Sequence, residues 1–111
     1  MATFNVQKLA FARERLTVTN AVKTLTAATY NPSDVKNRAT GARIVLLSGS
    51  GDLSFTENGS TPTADITTVS GVGTPASAGD IIYLESYAAV AAFKAIRISA
   101  DAIIEVTYYR G

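Results

Sequence analysis

Cysteine, histidine and tryptophan are all missing from this chain of 111 residues. Without Cys or His there is no Ser-His-Asp or Cys-His nucleophile system, no thiolate chemistry, and no His/Cys zinc or iron site. The lack of cysteine also leaves the redox compartment unreadable. Charge is scarce. Asp, Glu, Lys and Arg make up 17% of the residues, below the roughly 25% of an average soluble protein, whereas the hydrophobic share of 47% is ordinary. This balance points to a surface partly covered by something else. No apolar run reaches the roughly 20 residues of a spanning helix; the weakly polar stretch 87–98 carries Lys94 and Arg97, so no membrane span is expected. The first residues lack the basic start of a signal peptide, and export by that route is not expected.

The length suits one domain with a modest core of its own. A net charge of +1 hides a division along the chain. Residues 1–43 hold seven basic side chains against two acids, and residues 44–111 hold three against seven. The basic residues are scattered, with only Phe4, Phe11 and Tyr30 as nearby aromatics, so nucleic acid is not expected as a partner. A basic first third that lies against acidic surface, on its own body, a neighbouring copy or a partner, fits the pattern better.

The pattern is mostly β. Short strands are predicted at 15–19, 22–27, 42–48, 53–57, 66–69, 80–85, 93–99 and 102–109, with turn residues between them. The near-continuous apolar run at 42–48 predicts a strand buried on both faces, forming a hairpin with 53–57 across Gly49-Ser50-Gly51-Asp52. The last two strands are expected to pair across Ser99-Ala100-Asp101. In the final one, Ile104, Val106 and Tyr108 share a face opposite Ile103, Glu105, Thr107 and Tyr109. Asn31-Pro32-Ser33-Asp34 reads as a turn and 58–79 as a long loop. Residues 87–92 read as a loop or a single helical turn. Six to eight such strands make an all-β fold, an antiparallel β-sandwich or small barrel over 15–111. Residues 1–14 show no evident intrachain register and read as an extended or weakly helical N-terminal arm.

Candidate chemistry is thin. Gly49-Ser50-Gly51 and Gly71-Val72-Gly73 lack phosphate-loop spacing and read as turn glycines. Asp52 with Glu57, and Asp80 with Glu85, read as surface acids and not as a glycosidase pair. Asp52, Glu57 and Asp65 do not form a calcium loop. Asn58-Gly59-Ser60 matches an N-glycosylation pattern but reads as a hairpin turn. No catalytic residue, cofactor or metal is therefore expected. The contact candidates are of two kinds. Phe4, Val6, Leu9 and Phe11, with Arg13 and Arg15, form an interface on the arm. Burying its four apolar side chains at about 25 cal/mol per Å² would be worth several kcal/mol before ordering costs. Tyr83, Tyr87, Tyr108 and Tyr109 read either as an aromatic contact patch, since Tyr is favoured at interfaces, or as ordinary half-buried sheet residues; Tyr83, Tyr87 and Tyr109 are the contact candidates.

A resemblance rests on five segments. They are Ala42-Arg43-Ile44-Val45-Leu46-Leu47, Leu53-Ser54-Phe55-Thr56 with the turn Asn58-Gly59-Ser60-Thr61-Pro62, Ala78-Gly79-Asp80-Ile81-Ile82-Tyr83-Leu84, Phe93-Lys94-Ala95-Ile96-Arg97-Ile98, and Ala102-Ile103-Ile104-Glu105-Val106-Thr107-Tyr108-Tyr109. Over about residues 16–109 the chain resembles small bacteriophage virion structural proteins, from which it departs by an insertion at 65–77. The resemblance implies a β-sandwich on the capsid surface, made in the bacterial cytoplasm. Such a decoration or cement protein would bind the major capsid protein and self-associate, for instance as a trimer. The alternatives are a head-fibre, tail or adhesin-type module contacting host glycans, and a head-tail junction component.

Overall fold

In the computed structural model, residues 9–32 and 38–110 are described. They form β1 (Leu9–Val18), β2 (Lys23–Thr24), α1 (Ala27–Tyr30), β3 (Gly41–Leu46), β4 (Leu53–Thr56), β5 (Thr74–Ala76), β6 (Ile81–Leu84), α2 (Tyr87–Ala92), β7 (Lys94–Arg97) and β8 (Ala102–Arg110). The strands make two antiparallel four-stranded sheets, in the orders β1-β8-β3-β6 and β2-β7-β4-β5. The all-β sandwich expected from the pattern is what forms.

The pairing has a simple logic. β1 pairs with β8, β2 with β7, β3 with β6 and β4 with β5, as if one long hairpin had been folded double. Pairing of β3 with β8 and of β4 with β7 then rolls that ribbon into two layers. This eight-stranded arrangement is the jelly roll.

Inward residues of both layers meet in one core. β8 contributes Ile104, Val106 and Tyr108, β3 contributes Ile44 and Leu46, and β1 contributes Val18, all fully buried. Opposite them lie Leu53, Phe55 and Ala95, with Phe93 stacked on Phe55 at 5.8 Å between ring centroids. Burying one face of each sheet is the main stabilising term. One end of the sandwich is closed by polar and aromatic groups. Tyr30 touches both Tyr108 and Tyr87, at 5.9 and 6.1 Å between centroids. The buried Tyr108 hydroxyl donates to the Glu14 carboxylate, which also accepts the Thr26 N–H at 3.1 Å. A buried phenol without an acceptor would be costly, so this pairing matters. α2 closes the same side, its first turn capped by Ser86 Oγ accepting the Ala89 N–H at 3.1 Å.

Several expectations need correction. Residues 9–14 are not a free arm: they are the first half of β1, in register with β8 from Leu9 opposite Arg110 onward. β8 is an interior strand, and without β1 its edge groups would lack partners. The alternation in this segment is disguised by a bulge between Ala10 and Ala12, and by Glu14 facing inward to Tyr108. Residues 42–48 are not covered on both faces, because Arg43 is exposed and Val45 only half-buried. Nor do 42–48 and 53–57 form a hairpin, or 93–99 pair with 102–109. Each of these connections crosses from one sheet to the other. The tight turns at 49–52 and 99–101 are corners of the roll. No strand forms at 66–69; the strand of this region is β5, at 74–76, on the edge beside β4. The expected strand 22–27 shrinks to the two residues of β2, and α1 follows. Of the expected turn at 31–34, Ser33 and Asp34 lie outside the described residues.

Candidate functional site: an arginine and tyrosine face

A strand in a two-layer sandwich shows one side to the core and the other outward. On the β1-β8-β3-β6 sheet the outward set runs in two cross-strand rows. One row is Tyr83, Arg43, Thr107 and Arg13; the next is Ile81, Val45, Glu105 and Arg15. Tyr109 follows Thr107 on the same side of β8, opposite Gly41. The face is apolar for a wetted surface. Tyr83, Ile81 and Ile103 are 62%, 50% and 37% exposed.

Charge on this face is organised around Glu105. Its Oε2 accepts from Arg13 Nε and its Oε1 from Arg15 Nε, both at 2.9 Å. Its surroundings desolvate the carboxyl, which opposes ionisation, but the two guanidinium donors and their charges outweigh this and hold it below the ordinary carboxylate range. Arg43 is different: it forms no ion pair with a described residue. Together with Tyr83, Tyr109, Gly41 and Glu85 it lines a shallow depression of about 430 Å³.

The sequence-predicted contact residues therefore separate. Tyr83 and Tyr109 do come together, on this depression. Tyr87 does not join them: its ring lies under the Arg38 guanidinium at 4.1 Å, its hydroxyl accepts from Asn31 Nδ2 at 3.3 Å, and it packs against Tyr30. Burial, and then the neighbouring Tyr87, raise the Tyr30 phenol above its ordinary value, and half-buried Tyr87 packs against the core. Of the arm residues, Arg13 and Arg15 stand on the outer face, and Phe11 packs against the core beneath Arg110. Leu9 is exposed. Phe4 and Val6 lie outside the described residues. Arg43 was missed because the apolar run that follows it suggested burial on both sides. The buried period Ala42, Ile44, Leu46 places Arg43 and Val45 outward, and that spacing was the available signal.

The long loop between β4 and β5 is a folded structure. The Thr63 N–H donates to the Val72 carbonyl at 2.8 Å, and the Val72 N–H donates to Thr63 Oγ1 at 2.9 Å. Asp65 Oδ1 accepts from both the backbone and the hydroxyl of Thr67, which lowers its pKa. Asn58-Gly59-Ser60 bends the chain, with Gly59 at φ +88 and Asn58 Oδ1 accepting the Ser60 N–H, but it closes no hairpin, because β5, which pairs with β4, begins only at Thr74. Among the described residues no three His, Cys, Asp or Glu side chains gather to hold a metal ion. No described helix is long and apolar enough to cross a membrane. Comparison of the chain with protein-family models, with curated proteins and with solved structures finds no match.

Proposed function

We propose that the chain is a non-enzymatic bacteriophage virion structural protein, a capsid decoration or cement protein that binds the major capsid protein and stabilises the head. The observation that carries this reading is the outer face of the β1-β8-β3-β6 sheet, where Ile81, Tyr83 and Ile103 stand in water among arginines. Large apolar side chains left exposed together on one face are of the kind found at contact sites on proteins. It is mounted on a rigid double layer, so docking would cost little ordering entropy. Jelly rolls serve in viral capsids as well as in lectins, so the fold is compatible with the reading without assigning it. On a symmetric head the same modest contact is repeated many times, and association between copies, as a trimer or another oligomer, would add to it by multivalency.

The test is addition of the purified protein to heads prepared without it. Sedimentation should show saturable binding at a fixed copy number, and the heads should withstand a higher temperature. Heads that neither bind the protein nor gain stability would overturn the reading. A second reading is favoured by one feature, the tyrosine-lined depression, which offers Tyr83 and Tyr109 as a shelf for a sugar ring. In that case the chain is a fibre or adhesin-type module, and a glycan array would return a discrete set of host sugars that Tyr83→Ser abolishes.

A further inference from the structure

We propose that Arg43 is the anchor of the docking face, taking a single carboxylate presented by the capsid protein between the walls formed by Tyr83 and Tyr109. This rests on the virion reading above and names the chemistry of the partner.

Position comes first. Arg43 sits on an interior strand of the sheet, with Tyr83 directly across on β6 and Thr107 directly across on β8. Charge comes second. The outer sides of the four strands carry three arginines against one glutamate, and that glutamate is already paired with two of them. Glu105 lies one diagonal step from Arg43, yet each of its oxygens is taken, one by Arg13 and one by Arg15. Arg43 is thus a guanidinium in the middle of this face that makes no ion pair with a described residue, although Glu85 lines the same depression. A planar guanidinium presents paired N–H donors that match a carboxylate edge-on. Docking that covers Tyr83 and Tyr109 would exclude water around the pair and strengthen it, as at the centres of protein interfaces. Glu85, on the rim of the same depression, adds one negative charge and so disfavours a phosphate dianion relative to a carboxylate.

Extent is the third observation, and it selects a protein over a sugar. Ile81 and Ile103 lie on the same face but do not line the depression. A sugar ring seated between the tyrosines would leave both in water, whereas a flat protein surface covers the whole set.

The experiment measures binding of wild type, Arg43→Glu, Arg43→Lys and Tyr83→Ser to heads prepared without the protein, with Val69→Ser as a control on the exposed loop. Thermal melting of each free variant shows that it is folded; all three positions substituted are on the surface, so melting within a few degrees of wild type is expected. Arg43→Glu should weaken binding at least tenfold, Tyr83→Ser by a similar factor, and Arg43→Lys by less, because an ammonium keeps charge but loses the fork. The wild-type affinity should fall with added salt, and the fall should be shallower for Arg43→Glu. Binding that Arg43→Glu and Tyr83→Ser leave unchanged would overturn this inference while leaving the virion reading intact. Absence of wild-type binding would overturn both. Saturable perturbation of Tyr83 and Tyr109 by glucuronate, with head binding indifferent to the same substitutions, would assign the depression to an acidic sugar instead.

Discussion

Glu14 accepts from two donors, the Thr26 N–H and the Tyr108 hydroxyl, and that setting decides what loss of either would do. Tyr108 is fully buried, and burial, then its hydrogen bond to Glu14 and the charge there, pushes its phenol far above the ordinary range. It therefore remains a donor at all physiological pH. Tyr108→Phe deletes that donor while keeping the ring, and leaves Glu14 with the Thr26 N–H. The expected loss is about 1–3 kcal/mol of unfolding free energy, read from denaturant midpoints. An unchanged midpoint would show that the hydroxyl contributes nothing. Glu105 predicts a pH dependence. Its folded carboxyl titrates below its unfolded value, so its contribution is complete above the ordinary carboxylate range and is lost as pH falls through the lower folded value. Glu105→Gln should therefore lower the melting temperature at neutral pH and narrow its gap to wild type as the solution is acidified. A gap that widens toward acid would contradict the pairing.

Among the elements, β1 and the β4–β5 loop show how far local pattern reaches. The alternation at 15–19 was legible because Leu16 and Val18 face in while Arg15 and Thr17 face out. Residues 9–14 were not, since the bulge puts Phe11 and Ala12 both against the core and an acid occupies an inward position. Deleting residues 1–14 is thus expected to do more than remove a contact arm. It strips half of β1, bares the β8 edge and takes Glu14 from Tyr108. The truncated chain should melt well below the full one or aggregate, as light scattering would show. A truncated chain that melts normally would mean β1 is dispensable. In the loop, Gly73 lies at φ +126, and a Cβ there would stand 2.0 Å from Ser54 Oγ. Gly73→Ala combines backbone strain with a clash inside β4's buried row, and should cost more than about 1 kcal/mol by thermal or chemical denaturation. Gly71 lies against the backbone of residues 65–66 and Gly73 against Ser54 of β4, so what each glycine does depends on which segment the fold lays beside it.

For the whole molecule, the roll joins the two ends of the described chain, with β1 against β8, and leaves few pairings local in sequence. Non-local closure makes such folds slow, so refolding after a denaturant jump is expected over milliseconds to seconds. Tyrosine fluorescence can follow it in the absence of tryptophan, and completion within tens of microseconds would argue against this topology. The same wrapping brings Arg43, Tyr83 and Tyr109 together although forty residues separate the first two, which is why the docking face was only partly legible. The tyrosines were singled out by type, and the arginine between them was not.

What the chain determined by itself is the period-two division of its strands. The alternation that sends Ile104, Val106 and Tyr108 to one side and Ile103, Glu105, Thr107 and Tyr109 to the other follows from extended backbone alone. The absence of His and Cys limits the available chemistry just as directly. What only the tertiary structure decided is which strand neighbours which. Two short connections looked like hairpins, but a turn of a few residues can as easily carry the chain across to a second layer. The choice is made by burial: both sheets can hide their apolar faces only if β3 and β4, and β7 and β8, lie in opposite layers.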